Sequence, residues 1–319
     1  MKHNLITTLI LLGMFILTQI VGLIIIKNYL PHNEIIFNKT TNTFENITIK
    51  KEIPYGMNIP EEQKPEVSFT SFLTSFLIAV LLIILLIKIK KPIFLRMWFF
   101  IVVVIALGIS FNSFLLKIKY SQYIAFFIAL FLAYIKVFKR NIFIHNLTEI
   151  FIYPGIAVIF VYMFNLNMII FLLLLISIYD IYAVWYSGFM QKMAKYQINH
   201  VKVFGGFFVP YIRKSDKERE MLKKLKLEKE RKRKIKKIKI EIGILGGGDV
   251  IFPLIMSGVL LKSFGILSAL IIVLFSTISL FFLFFMAKKG KFYPAMPFLT
   301  IGCLLGLLLV NILRYFSLI

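Results

Sequence analysis

Apolar residues along this chain gather into nine blocks, and the charges fall almost entirely between them. The blocks run Leu5 to Ile26, Val67 to Ile87, Met97 to Leu116, Ser121 to Ile135, Ile142 to Phe164, Met168 to Gly188, Ile242 to Leu260, Gly265 to Ala287 and Pro294 to Leu313. Crossing a bilayer as a helix takes about 20 residues of this kind. The pattern therefore predicts an all-α membrane protein of nine transmembrane helices, with a short fourth span and a seventh interrupted by three glycines. Residues 1–188 hold six spans and an extracytoplasmic loop over 27–66, residues 189–241 form a basic cytoplasmic loop, and residues 242–319 hold the last three spans.

Composition agrees, with 59% hydrophobic and only 17% charged residues. A soluble chain carries about a quarter charged. The net charge of +23 would suggest nucleic acid on a soluble domain. Between membrane spans it instead reads as Lys and Arg retained on the cytoplasmic side, where they meet anionic lipid, so no nucleic-acid partner is expected. With the N-terminus inside, 29 of the 38 basic residues fall on the cytoplasmic side, which puts the C-terminus outside. The first block follows Met1-Lys2-His3-Asn4 but is too long for a signal peptide and lacks a small-residue cleavage site, so it reads as a retained helix. The loop over 27–66 holds six Glu and the sequons at Asn38 and Asn46. From Ser215 to Glu241, Lys and Arg alternate with Leu, Ile and Glu as in a solvated or membrane-surface helix. Val203 to Pro210, with Gly205-Gly206 at its centre, reads as an extended stretch.

Cys303 is the one cysteine and the four His are scattered, so neither a disulfide nor a metal site is expected, and no cofactor. Three acids lie inside the spans: Glu149, Asp180 and Asp249. A charge at membrane depth costs about 3 kcal/mol on insertion scales, so each asks for a reason. No Lys or Arg of the spans stands near them in sequence. Glu149 has His145 one turn earlier, and a hydrogen bond or ion pair at that spacing accounts for it. Asp180 lies eight residues from the end of the sixth block and Asp249 seven from the start of the seventh, so antiparallel neighbours bring both carboxyls to one level. Two carboxyls so placed share a proton: one serves as general base on water while the other donates to a carbonyl oxygen. A channel or secondary transporter using the acids as a cation site is the rival reading, although the two halves show no inverted repeat.

Tyr179 precedes Asp180, Gly246-Gly247-Gly248 precedes Asp249, and Pro294-Ala295-Met296-Pro297 opens the last block. In this order and spacing the motifs resemble those of the presenilin and signal peptide peptidase family of GxGD intramembrane proteases, over all nine blocks. The resemblance implies that Asp180 and Asp249 are catalytic, with Tyr179, Gly246, Gly247, Gly248, Pro294, Ala295, Met296 and Pro297 shaping the site. Met296 stands where the family's Pro-Ala-Leu has Leu, a volume-conserving change. It also implies transmembrane helical proteins as substrates. An N-terminus inside sides with presenilin, and a single chain of this size implies a prokaryotic or archaeal cell membrane and no obligatory partner subunits.

Overall fold

The computed structural model describes residues 5–38, 43–49, 52–57, 92–139, 141–186, 205–212, 240–287 and 293–317, with isolated positions between 70 and 81. Eight helices among the described residues are long and apolar enough to cross a membrane. Their α-helical parts in chain order are α1 (Leu5–Tyr29), α2 (Pro92–Leu115), α3 (Ser121–Tyr134, within the span Ser121–Lys139), α4 (Ile142–Met163), α5 (Leu166–Ile181, within the span Leu166–Tyr186), α6 (Gly247–Phe264), α7 (Ile266–Met286) and α8 (Met296–Tyr315). The expected second span, Val67 to Ile87, and most of the basic segment from Ser215 fall outside the described residues.

Local chemistry sets several boundaries. Asn141 caps α4, its side chain accepting from the Phe143 amide at 2.9 Å, and Asn165 caps α5 through the Met168 amide at 2.9 Å. A single residue, Gly265, joins α6 to α7 at φ +87°, a conformation that side-chain-bearing residues resist. Wide π-helical turns extend α3 over Ile135–Lys139 and α5 over Tyr182–Tyr186.

The all-α expectation needs correction at two hairpins. The 27–66 segment holds β1 (His32–Asn38) paired antiparallel with β2 (Thr43–Ile49). The second hairpin matters for function: β3 (Gly206–Ile212) pairs with β4 (Ile240–Gly246), with Gly206 opposite Gly246. The extended stretch expected around Gly205-Gly206 is therefore present. The expected helical start of the seventh span at Ile242 is not, because Ile242 to Gly246 is strand and the helix begins at Gly247. Apolar composition alone does not separate a buried strand from the end of a helix.

At the centre, α6 packs against α1, α4, α5, α7 and α8. Its residues Val250, Leu254, Ile255, Met256, Val259 and Leu260 are all but inaccessible. Outward faces remain apolar, as at Ile6, Phe127, Phe131 and Leu274, which suits lipid. Helices in lipid associate through close packing of small residues. Gly155 shows this at the crossing of α2 and α4, where a Cβ would run into the Ala106 carbonyl oxygen. Gly155→Ala is expected to destabilise the fold by about 1–3 kcal/mol, since backbone must move. Gly13, with nothing within 4 Å of its Cβ direction, is the control. Thermal unfolding in detergent should fall for Gly155→Ala and hold or rise for Gly13→Ala.

Candidate active site

Asp180 lies one residue before the end of α5, 5% exposed. Its Oδ2 accepts the Met296 amide at 3.0 Å. That amide opens α8, where the first N–H groups of a helix lack intrahelical partners and favour an anion. The Pro-Ala-Met-Pro segment is thus joined to Asp180 by backbone. Pro297 does not break the helix. It occupies the first turn of α8, where a missing N–H costs nothing, and Pro294 precedes the helix.

Below this contact runs a polar seam that sequence reading missed. The hydroxyls of Ser177 and Thr300 lie 2.6 Å apart, and both also reach the Leu173 carbonyl, at 2.7 and 3.3 Å. Ser177 stands one turn before Asp180 and Thr300 one turn after Met296, and that pairing of turns was the available signal.

Asp249 is the third residue of α6 rather than seven residues into a span, half-buried in the first turn. Asp180 and Asp249 come within electrostatic reach of one another. Each carboxylate stands at a helix N-terminus, Asp180 at that of α8 and Asp249 at its own. The glycines before Asp249 differ in their need. A Cβ on Gly246 would come within 3.1 Å of Asp249 Oδ2, and one on Gly247 within 2.7 Å of the Tyr153 hydroxyl. On Gly248 it would make only ordinary contact with Phe252, at 3.6 Å, so the close approaches are at Gly246 and Gly247. Tyr179, beside Asp180, is 53% exposed and turned away from the protein interior.

The expectation that no base stands near the intramembrane acids is overturned at Glu149. Lys136 Nζ, from the π-helical turn after α3, lies 2.6 Å from Glu149 Oε1, both side chains 1% exposed. Lys136 therefore does not belong to the exposed cytoplasmic charge. His145 joins them, its Nε2 3.5 Å from Glu149 Oε1, as the i, i+4 spacing suggested. Desolvating such a pair is costly, and breaking it by removing one partner typically costs about 3–5 kcal/mol. Glu149 is thereby engaged by Lys136 and His145.

Two acids within electrostatic reach of one another inside a bundle of apolar helices are the arrangement that a membrane-embedded hydrolase of the aspartyl type requires. The family model described as signal-peptide peptidase, presenilin aspartyl protease matches residues 50–315, and the chain belongs to that family of intramembrane aspartyl proteases. Two solved structures of a presenilin family intramembrane aspartate protease are similar to it at 16% identity. The one in space group C222 superposes with a TM-score of 0.61 over 96% of this chain and 99% of that one. For the one in P2 the TM-score is 0.56, over 95% and 96%. No curated protein matches the chain.

Proposed function

We propose that Asp180 and Asp249 are the catalytic pair of this protease and that it cuts peptide bonds within transmembrane helices. The observation that carries this reading is the convergence of three separate segments: Asp180, the α8 amide of Met296 bonded to it at 3.0 Å, and Asp249 within electrostatic reach. A water held between the carboxyls loses a proton to one while its oxygen attacks the scissile carbonyl carbon. The other carboxyl protonates the carbonyl oxygen, giving a tetrahedral gem-diol. As that intermediate collapses, the C–N bond breaks and a carboxyl returns the proton to the leaving nitrogen. No covalent enzyme intermediate is formed. Pro294 to Pro297 shape the site by presenting the Met296 amide to Asp180.

A peptide bond inside a helix is shielded, and in lipid each freed backbone group costs several kcal/mol, so the enzyme must supply replacement partners. In an antiparallel pair, alternate residues direct their N–H and C=O groups to opposite edges. Phe208 directs both of its groups away from β4, toward Asn146. Ile244, opposite Phe208, then directs its own away from β3. That sheet has two strands among the described residues, and the outer edge of β4 leads straight to Asp249. An unwound substrate segment adds to β4 there as a third strand.

The same reading gives nine spans, with the N-terminus cytoplasmic, the C-terminus outside and substrate helices entering with their N-termini outside. It places the chain in a prokaryotic or archaeal membrane, working without obligatory partner subunits. Purified protein incubated with a transmembrane helical peptide should yield two fragments by mass spectrometry. The cut should fall near the cytoplasmic end of the substrate helix, and Gly or Pro beside the scissile bond should speed it. Intact peptide after prolonged incubation would return the acids to the cation-site reading.

A further inference from the structure

The outer edge of β3 is closed by side chains of α4. Asn146 acts as a neighbouring strand would: its Nδ2 donates to the Phe208 carbonyl at 2.7 Å and its Oδ1 accepts the Phe208 amide at 3.0 Å. Two residues earlier on the same edge, His145 Nε2 lies 2.8 Å from the Gly206 carbonyl, and the Gly206 amide points to Glu149 Oε1 at 3.4 Å. Two residues later the edge holds Pro210, which has no N–H to give. Every edge-facing amide from 206 to 210 is therefore occupied or missing. The clamp is itself braced, since Lys136 Nζ bonds Glu149 Oε1 at 2.6 Å and lies 3.3 Å from His145 Nδ1.

This arrangement holds neither of the two aspartates, and it is more than an ion pair needs. A buried carboxylate is satisfied by Lys136 alone, yet Asn146 spends both of its groups on one strand residue. An unpaired strand edge invites any extended peptide. A hairpin beside an active site offers two, and a peptide on the β3 edge lies one full strand farther from Asp249, about 4.8 Å. Resting on the protease reading above, we propose that Asn146, with His145 and Glu149 braced by Lys136, forms a set of positioning residues. They block the β3 edge so that a substrate strand pairs only with β4, and this fixes which bond meets the aspartates.

The readout is the cleavage position, which a merely structural role would not move. Wild-type protein should cut a transmembrane peptide at one dominant bond. Asn146→Ala frees both groups of Phe208, so roughly a tenfold loss of kcat/KM at that bond is expected, with new fragments from neighbouring bonds. Adding Phe208→Pro removes the exposed amide and should restore the single position. Unchanged fragments and unchanged kcat/KM in folded Asn146→Ala would overturn the proposal. A second measurement needs no change to the clamp. Because Cys303 is buried, a cysteine-bearing peptide reports on introduced cysteines, and Ile244→Cys should trap it as a disulfide while Phe208→Cys should not. Equal trapping at the two strands overturns the proposal whether or not Asn146→Ala folds. A wild-type protein that cleaves no peptide, or an Asp249→Asn variant that still does, counts against the protease reading instead.

Discussion

Asp180→Asn and Asp249→Asn are each expected to abolish peptide cleavage, by at least ~10³-fold in kcat, while the helical bundle stays folded. The size of the effect follows from the chemistry. Hydrolysis needs one carboxyl to take a proton from water and another to give one to the carbonyl oxygen, and an amide does neither. Folding survives because the carboxamide has the same shape. At position 180 its oxygen still accepts the Met296 amide that now reaches Asp180 Oδ2 at 3.0 Å, so the junction of α5 with α8 keeps its bond. At position 249 the side chain lies in the first turn of α6, where Asn is as acceptable as Asp. Removing an ionisable group from membrane depth also lifts a desolvation cost, so the thermal midpoint in detergent should hold or rise. Activity within tenfold of wild type in either variant, measured by fragment release from one helical peptide, would remove that residue from the mechanism. Glu149→Gln belongs to a different category. It should retain cleavage, because Gln still accepts from Lys136 and Gly206 and no step of the chemistry passes through it.

Ile244→Pro is expected to leave the protein folded and cut substrate turnover by roughly 30- to 150-fold, equivalent to about 2–3 kcal/mol for a buried group left unpaired. Proline is tolerated in a strand only where the N–H it removes faces away from the partner strand. At Ile244 that condition holds, since Phe208 opposite it turns both of its groups to Asn146 rather than to β4. The preceding residue, Gly243, is already in a strand, as proline requires of its neighbour. The lost N–H is therefore one that only a substrate strand would use. Leu245→Pro gives the opposite result. Its amide faces Phe207 within the ladder and its side chain is 2% exposed, so that change should break the hairpin itself. A folded Ile244→Pro protein with wild-type kcat/KM would end the strand-addition model and leave the aspartate assignment untouched.

Much of this protein was legible in one dimension. Whether a segment enters a bilayer depends on the summed transfer free energy of some 20 consecutive residues, and that sum can be read off a sequence. The spans from Ile142 to Phe164 and from Gly265 to Ala287 accordingly match α4 and α7 to within a residue or so at each end. The scarcity of acids at membrane depth singled out Asp180 and Asp249 for the same reason. A glycine pair and a proline within seven residues were enough to mark Gly205 to Pro210 as extended.

What only the tertiary structure decided is which backbone groups find which partners. Ile242 to Gly246 is as apolar as a helix start, and it is a strand because Gly206 to Pro210 lies opposite it. Lys136 reads as one more cytoplasmic charge until it is found bonded to Glu149. Asn146 holds a strand residue 62 positions away, and Met296 meets Asp180 across 116. Such pairings leave no local period to detect, because a hydrogen bond depends on where two atoms arrive and not on what surrounds either of them along the chain. In a medium with no water to satisfy unpaired groups, those arrivals decide where this chain can open an edge for a peptide.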